Sequence, residues 1–253
     1  MPLVKKIYPT VMIPRVENKC NSFPIPQDYL SGGFLFCSEN SLVKPICIAY
    51  NTDIEGIKCL YRRCSMKTYH IIGGVNGVGK SSFTGVLKES RKDLGMVIDV
   101  DRIIANMGGN MLEGGKAAVA MIKNCLEEGI SFTQETTLSG YKTEKTAKEA
   151  RDRGYTVRLY YIGLDTVEES LSRIKNRVRR GGHNIHTDDV LRRYKHRWEA
   201  LKKVLPYCHE GEFYDNDNGF VKVAEYRNGE LLPIGDHRPQ WLRDLIAYLK
   251  SQW

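Results

Sequence analysis

The residues best suited to chemistry lie between Gly74 and Ser82, in the run Gly-Val-Asn-Gly-Val-Gly-Lys-Ser-Ser. This run fits the pattern G-x-x-x-x-G-K-[ST] of a phosphate-binding loop. Its glycines let consecutive backbone N–H groups point toward one anion. Lys80 is expected to reach the terminal phosphates of a nucleoside triphosphate, and the Ser81 hydroxyl is expected to ligate Mg²⁺. The predicted nucleotide-binding residues are Gly74, Val75, Asn76, Gly77, Val78, Gly79, Lys80, Ser81 and Ser82.

A pair of carboxylates, Asp99 and Asp101, follows the next apolar run, Met-Val-Ile. On a strand predicted over 96–100, residues two apart point to the same face of the sheet. Asp101 lies nearer the end of that strand, so it is better placed to orient a substrate hydroxyl and accept its proton. The alternative is that Asp101 caps the helix that follows.

A polar cluster, Glu-Thr-Thr-Leu-Ser-Gly at 135–140, ends a third predicted strand. A carboxylate and hydroxyl groups at this position are suited to hold phosphate or sugar hydroxyls of a second substrate. Helix capping explains Ser139, but it does not explain Glu135.

Several arginines lie in a predicted helix over 166–180, which is followed by Gly181-Gly182. Helical spacing puts Arg173, Arg177 and Arg180 on one face and leaves Arg179 off it. Arginines on that face would clamp a transferring phosphoryl group, and the glycines would let the segment close as a mobile lid. A solvated basic face is the alternative, which we prefer for Arg179.

A long basic helix, predicted over 188–205, carries lysines and arginines together with Tyr194 and Trp198. Basic residues interleaved with aromatic ones can indicate nucleic-acid binding. We favour an amphipathic helix that packs on the core with its cations in solvent. The formal net charge of +8 is compatible with nucleic acids and with polyphosphate substrates.

From Tyr69 onward, apolar runs alternate with helical patterns, which predicts an α/β fold. We expect a parallel sheet of the P-loop NTPase or kinase type with helices on both faces, whose ligands bind at the carboxyl ends of the strands. Asn228-Gly229 predicts a C-terminal hairpin, and the run after Pro239 predicts a terminal helix. The other predicted strands cover 69–74, 96–100, 130–135 and 155–162, and the other helices cover 80–90, 116–128 and 143–153.

Residues 1–67 are interrupted by six prolines and are assigned as an N-terminal extension of unknown role, beside a kinase-like domain over 68–253. Apolar runs at 34–37 and 45–50 predict short strands there. The seven cysteines lack close pairs, which argues against a disulfide framework. No apolar run is long enough to span a bilayer, and no secretory signal is recognisable. We therefore expect a cytoplasmic protein without a membrane partner, and export as an effector is compatible with the same sequence.

Taken in order, the motifs resemble those of the zeta-toxin family, and most closely its short zeta-like bacterial ATPases. They are the P-loop run, Asp-Val-Asp at 99–101, Glu-Thr-Thr-Leu-Ser-Gly at 135–140, Arg-Val-Arg-Arg-Gly-Gly-His at 177–183 and Tyr-Asp-Asn at 214–216. The resemblance covers residues 69–230. It implies the fold of nucleotide and small-molecule kinases, with phosphoryl transfer from ATP or GTP to a hydroxyl of UDP-N-acetylglucosamine or a related UDP-sugar.

The resemblance also implies roles for the donor side of the site. Lys80 and Ser81 would bind the triphosphate and Mg²⁺, and Asp101 would be the catalytic base. Arg177 or Arg180 would contact the phosphates.

On the acceptor side, the resemblance implies that Glu135 and Thr137 hold the substrate. His183 stands where larger zeta toxins carry a second arginine, so the charge of this contact at neutral pH depends on a histidine. Val75 and Val78 depart from the usual loop of the family, but each keeps its backbone N–H donor.

The leading hypothesis is therefore a phosphotransferase with an alcohol group as acceptor, acting on a nucleotide-sugar or a related metabolite. The alternatives are a polynucleotide kinase, suggested by the basic helix, and a nucleotide-binding switch without catalysis. A switch would not need both Asp101 and Glu135 at the acceptor side. Because zeta toxins pair with antitoxins, an antitoxin protein is a candidate partner, although residues 1–67 do not resemble a helical antitoxin.

Overall fold

Two compact units, residues 1–65 and 66–253, make up the chain. A computed structural model describes residues 46–51, 58–63, 66–182 and 184–251, the first two ranges as backbone alone.

In the first unit, β1 (Ile46–Asn51) and β2 (Lys58–Arg63) pair as antiparallel strands, with Ile46 opposite Arg63. The strand predicted at 45–50 is confirmed as β1. The strand predicted at 34–37 lies outside the described residues.

The second unit is built on a seven-stranded sheet with the order β4-β5-β3-β6-β7-β8-β9. The first five strands in that order are parallel. β8 runs antiparallel to β7, and β9 runs antiparallel to β8. This confirms the predicted parallel α/β sheet with its C-terminal hairpin. The strands are β3 (Thr68–Gly73), β4 (Met96–Asp99), β5 (Phe132–Thr136), β6 (Thr156–Gly163), β7 (Glu210–Asp215), β8 (Val221–Arg227) and β9 (Glu230–Pro233).

The helices follow the predicted pattern except that the predicted basic helix is divided and that a short helix is added directly after β4. The added helix is α2 (Val100–Asn106). It was not predicted because no turn residue separates it from the strand, and its first turn reads as strand sequence. The helices are α1 (Lys80–Ser90), α2 (Val100–Asn106), α3 (Met111–Glu128), α4 (Lys142–Asp152), α5 (Val167–Arg179), α6 (Thr187–Lys195), α7 (Arg197–Val204) and α8 (Gln240–Lys250).

The single basic helix predicted over 188–205 is two helices, α6 and α7, which meet at His196. Val190 in α6 and Trp198 in α7 are both buried. The break allows each segment to turn its own apolar face inward. At the junction, the Arg197 guanidinium lies 3.8 Å from the centre of the Tyr194 ring and 4.2 Å from that of Trp198.

Alternating residues of β3 pack against helices on opposite faces of the sheet. Tyr69 and Ile71 belong to a large apolar cluster that includes residues of α3, α4, α7 and α8. Ile72 points the other way, into a smaller cluster with Phe83 and Leu87 of α1. Such alternation is what a strand buried on both faces requires. The predicted covering of both faces by helices is confirmed.

The five parallel strands all end at one edge of the sheet, so the segments that follow them are gathered there. These segments include residues 74–79 after β3, the start of α2 after β4, residues 137–141 after β5 and Asn216 after β7. In the part of the chain that is described, no helix is both long and apolar enough to cross a membrane.

Candidate active site

The loop between β3 and α1 has the backbone geometry of a phosphate-binding loop. Gly74, Gly77 and Gly79 all have positive φ angles, of 145°, 80° and 92°. A Cβ atom on Gly74 would lie 2.5 Å from the Ile162 carbonyl oxygen, so glycine is also required there by space. The N-cap residue of α1 is Gly79, which has no side chain to cap the first turn. Its N–H groups and the positive end of the helix therefore face the loop and favour an anion.

Lys80 begins α1 and folds back over the loop. Its Nζ donates to the carbonyl oxygens of Gly74 and Val75, each at 3.0 Å. Burial lowers the pKa of Lys80 to about 8, and the carboxylates of Asp101, Glu135 and Asp99 oppose that shift. At neutral pH the ammonium is therefore mostly charged.

Glu135, at the end of β5, is hydrogen-bonded to the first turns of α1. Its two carboxylate oxygens accept from Ser81 Oγ at 2.7 Å and from Thr84 Oγ1 at 2.6 Å. Glu135 is 7% exposed, and this burial raises its pKa, whereas the two hydroxyl groups act to lower it. The structure thus ties Glu135 to the nucleotide side of the site. Thr84 was not recognised from the sequence, because only the approach of β5 to α1 gives it a role.

Asp99 and Asp101 both line the cavity beside Ser81, but they do not lie on one strand. The strand ends at Asp99, which caps α2 by accepting from the Arg102 N–H at 3.2 Å. Asp101 is an exposed residue in the first turn of α2. The predicted strand over 96–100 is therefore one residue too long. Capping of the following helix, considered for Asp101, is performed by Asp99.

The loop after β5 presents two hydroxyl groups side by side, Thr137 Oγ1 and Ser139 Oγ, 2.8 Å apart. Between them Leu138 has a φ of 61°, a conformation that costs free energy for a residue other than glycine. Leu138 is 1% exposed, and its side chain packs against Gly73. A Cβ atom added to Gly73 would lie 3.1 Å from Leu138 Cδ1. Burial of Leu138 thus holds the two neighbouring hydroxyls outward, and Thr137 lines the cavity.

Three arginines line the cavity: Arg173 and Arg177 from α5 and Arg193 from α6. Arg193 donates from Nη1 to Asn76 Oδ1 at 2.9 Å, which brings α6 to the phosphate-binding loop. No spacing rule separates Arg193 from its neighbour Arg192, which is exposed and pairs with Asp189, so the sequence did not identify it.

The remaining predicted residues lie around this centre. Arg180 caps the end of α5, is exposed and lies outside the cavity lining. The side chains of Val75 and Val78 are buried in the α1 cluster. His183 lies outside the described residues.

These groups surround one cavity of about 360 Å³. It brings the phosphate-binding loop, the carboxylates, the hydroxyl loop and the arginines together, which is what transfer of a phosphoryl group between two substrates requires. Its lining comprises Asn76, Gly77, Gly79, Lys80, Ser81, Ser82, Asp99, Val100, Asp101, Gln134, Glu135, Thr136, Thr137, Arg173, Ile174, Arg177 and Arg193.

Solved structures share this fold. A chain of the PezAT chromosomal toxin–antitoxin system of Streptococcus pneumoniae is 18% identical, with a TM-score of 0.50 over 74% of this chain and 86% of that one. A chain of the AvrRxo1-ORF1:-ORF2 complex with ATP is 14% identical, with a TM-score of 0.52 over 74% of this chain and 77% of that one.

Sequence comparison identifies the family. The zeta toxin family model matches residues 113–218, which include Glu135, Thr137 and the arginines of α5. An uncharacterized protein of Haemophilus influenzae is 35% identical over 126 residues, which are 48% of this chain and 88% of that protein. The phosphate-binding loop precedes the matched range and adds independent support. The chain therefore belongs to the zeta-toxin family of P-loop kinases.

Proposed function

We propose that this protein transfers the γ-phosphoryl group of ATP or GTP to a hydroxyl of a nucleotide-sugar, such as UDP-N-acetylglucosamine, or of a related small metabolite. The observation that supports this most directly is that Lys80 and Asp101 line the same cavity. Transfer to a hydroxyl needs a cation at the phosphates and a carboxylate at the acceptor. A nucleotide-binding switch would need only the first.

The triphosphate would bind with its phosphates against Lys80 and the first N–H groups of α1. Arg173, Arg177 and Arg193 line the same cavity and would neutralise charge that develops on the transferring group. Arg173 is held by a hydrogen bond to Glu169, and Arg193 by one to Asn76.

Mg²⁺ fits the donor site because hard cations prefer oxygen ligands. Ser81 Oγ lies 3.5 Å from Asp99 Oδ2 and 2.7 Å from Glu135 Oε2, so these oxygens are close together. Ser81 and Asp99 are the candidate ligands, and Glu135 would hold the Ser81 hydroxyl in place. When bound, the ion would neutralise charge on the β- and γ-phosphates.

Asp101 would act as the general base. As the acceptor oxygen attacks the γ-phosphorus, its proton passes to the Asp101 carboxylate. The bond from the γ-phosphorus to the β–γ bridging oxygen breaks, so ADP or GDP leaves and the acceptor keeps the phosphoryl group. Because Asp101 is exposed, it can return the proton to solvent.

The acceptor would lie on the open side of the cavity, against Thr137. The hydroxyls of Thr137 and Ser139 can each donate and accept, which suits the hydroxyl groups of a sugar. The family resemblance implies a further acceptor contact from His183. It gives the contact with the donor phosphates to Arg177 or Arg180, of which Arg177 lines the cavity.

We favour a small acceptor over a polynucleotide because two exposed basic residues, one in α6 and one in α7, already form ion pairs. Arg192 Nη2 lies 2.5 Å from Asp189 Oδ1, and Lys203 Nζ lies 2.7 Å from Glu199 Oε1. Such pairs leave less positive charge for a phosphate backbone. We also propose a bacterial cytoplasmic setting with an antitoxin as protein partner, since one similar structure comes from a toxin–antitoxin system.

The test is to incubate the purified protein with ATP, Mg²⁺ and a bacterial metabolite extract, and to search by mass spectrometry for metabolites that gain a phosphate. Asp101→Asn is the matched variant, since it keeps the size of the side chain but not the base. We expect about 10²- to 10⁴-fold less product from it. If phosphate is transferred to oligonucleotides alone, the acceptor is a polynucleotide and not a small metabolite. If no fraction contains a phosphorylated product, the kinase proposal is contradicted.

A further inference from the structure

Three consecutive residues at the end of β7, Tyr214, Asp215 and Asn216, contact three different parts of the second unit. The Tyr214 ring packs on Phe83 of α1, with 4.6 Å between ring centres. Asp215 accepts a hydrogen bond from Trp241 Nε1 of α8 at 2.8 Å. Asn216 reaches the phosphate-binding loop. None of the roles assigned above uses this segment.

Asn216 contacts the loop and a cavity arginine at the same time. Its side-chain Nδ2 donates to the Val78 carbonyl oxygen at 2.8 Å, while its backbone carbonyl oxygen accepts from Arg173 Nη2 at 2.6 Å. The same Nδ2 atom lies 2.7 Å from where a Cβ on Gly79 would be. One residue thus packs on the last glycine of the loop, holds the preceding carbonyl and orients Arg173.

The contact with Val78 requires a hydrogen-bond donor. The Val78 side chain is fully buried, so the residue is held from one side by the core and from the other by the Asn216 amide. A carboxylate in place of the amide would set two acceptor oxygens against each other. The Val78 carbonyl and the Gly79 N–H belong to one peptide group, and Gly79 has a φ of 92°. A shift of that carbonyl would therefore change the direction of the N–H groups that follow.

The position of Asn216 is itself fixed from behind by Asp215. The Asp215 side chain is 4% exposed and accepts from His237 Nε2 at 3.0 Å as well as from Trp241. The strand end is therefore anchored to α8 and to the segment before it. This anchoring makes Asn216 a fixed point rather than a mobile turn residue.

We propose that Asn216 is a positioning residue for the nucleotide: it holds the phosphate-binding loop in its binding shape and sets Arg173 beside it. Its side chain acts through Val78 and its backbone carbonyl through Arg173, so the residue does not itself need to touch the substrate. The inference rests on the proposed function, since it assumes that the loop binds a triphosphate. Loss of the contact then weakens nucleotide binding and leaves the acceptor side unchanged.

The test compares Asn216→Asp with Asn218→Asp, measured as the Kd for ATP with Mg²⁺ by calorimetry. Both changes add one negative charge to the same turn, but the Asn218 amide contacts only the exposed Asp217 among the described residues. We expect the Kd to rise about tenfold or more for Asn216→Asp and to stay within about twofold for Asn218→Asp. Asn216→Ala, which removes the donor without adding charge, should give a smaller rise.

Activity and thermal unfolding separate positioning from a purely structural role. In a kinase assay the KM for ATP should rise with the Kd, while kcat at saturating ATP changes far less. A lower unfolding temperature with an unchanged Kd in both Asn216 variants would overturn the inference. If the wild type binds ATP, Lys80→Ala does not, and the Asn216 variants bind normally, the inference fails while the proposed function stands. If the wild type binds neither ATP nor GTP, both fail.

Discussion

The two halves of the cavity are built differently. On the nucleotide side, Lys80 donates to the carbonyl oxygens of the loop, Ser81 donates to Glu135, and the glycines are held by neighbouring backbone and side chains. On the acceptor side, Asp101 and Ser139 are exposed, and the described loop depends mainly on the burial of Leu138. The nucleotide side is thus preorganised before any ligand binds, whereas the acceptor side leaves room for groups that the ligand itself must order.

Among the groups that bind a ligand, as distinct from the proposed base Asp101, the largest effect should come from Lys80 at the centre of the nucleotide side. Lys80→Ala removes the cation that faces the phosphates, so phosphoryl transfer should fall about 10²- to 10³-fold. Calorimetry should show weaker ATP binding in parallel. Lys88→Ala, an exposed lysine on the same helix, is the control and should behave as wild type. If Lys80→Ala is as active as the wild type, the phosphate-binding loop has no part in phosphoryl transfer.

The nucleotide side could be predicted because its geometry is local. Within residues 74–81, the glycines, the lysine and the serine define a backbone path, and α1 begins at Lys80 as expected. The parallel direction of the strands then follows from the alternation of helices and strands. These features need only short-range information.

What could not be predicted depends on contacts between segments far apart in the chain. Arg193 joins Asn76 across 117 residues, and Glu135 joins Thr84 across 51. These sequence separations do not correspond to the period of a helix or a strand, so the residue pattern does not predict either contact. The start of α2 was missed for a different reason: Val100 and Asp101 have the alternation of a strand, and only the Asp99 cap shows that a helix begins.

Glu135 lies between the two halves of the cavity, so its role tests where one half ends and the other begins. The resemblance assigned it to the acceptor, whereas its hydrogen bonds connect it to Ser81 and Thr84. Glu135→Gln keeps the size of the side chain but cannot accept through both oxygens. We expect activity to fall about 10- to 100-fold, with a higher Mg²⁺ requirement and an unchanged KM for the acceptor.

The matched variant is Thr84→Val, which removes one of the two partners and should move the same parameters to a smaller extent. If Glu135→Gln raises the acceptor KM without changing the Mg²⁺ requirement, Glu135 binds the acceptor, as the resemblance implies.

A smaller effect should follow from the pKa of Lys80, which burial lowers to about 8. Triphosphate binding favours the charged ammonium, so above pH 8 binding must be accompanied by proton uptake. The Kd for ATP should therefore be nearly constant below that pH and rise by up to about tenfold per pH unit above it. Lys80→Arg should give a flat profile to pH 10, because arginine stays protonated. A flat profile in the wild type would contradict a lowered pKa.

The smallest effect is expected at the hydroxyl loop of the acceptor side, where Ser139 is exposed. Ser139→Ala removes one hydroxyl and leaves Leu138 buried, so the KM for the acceptor should rise only about threefold while the Kd for ATP is unchanged. Leu138→Gly is the sharper comparison: it relieves the unfavourable φ of 61° but removes the side chain that anchors the loop. If anchoring sets the geometry, the acceptor KM rises further in Leu138→Gly than in Ser139→Ala. If both leave the acceptor KM unchanged, the acceptor binds elsewhere, and the open side of the cavity is not its site.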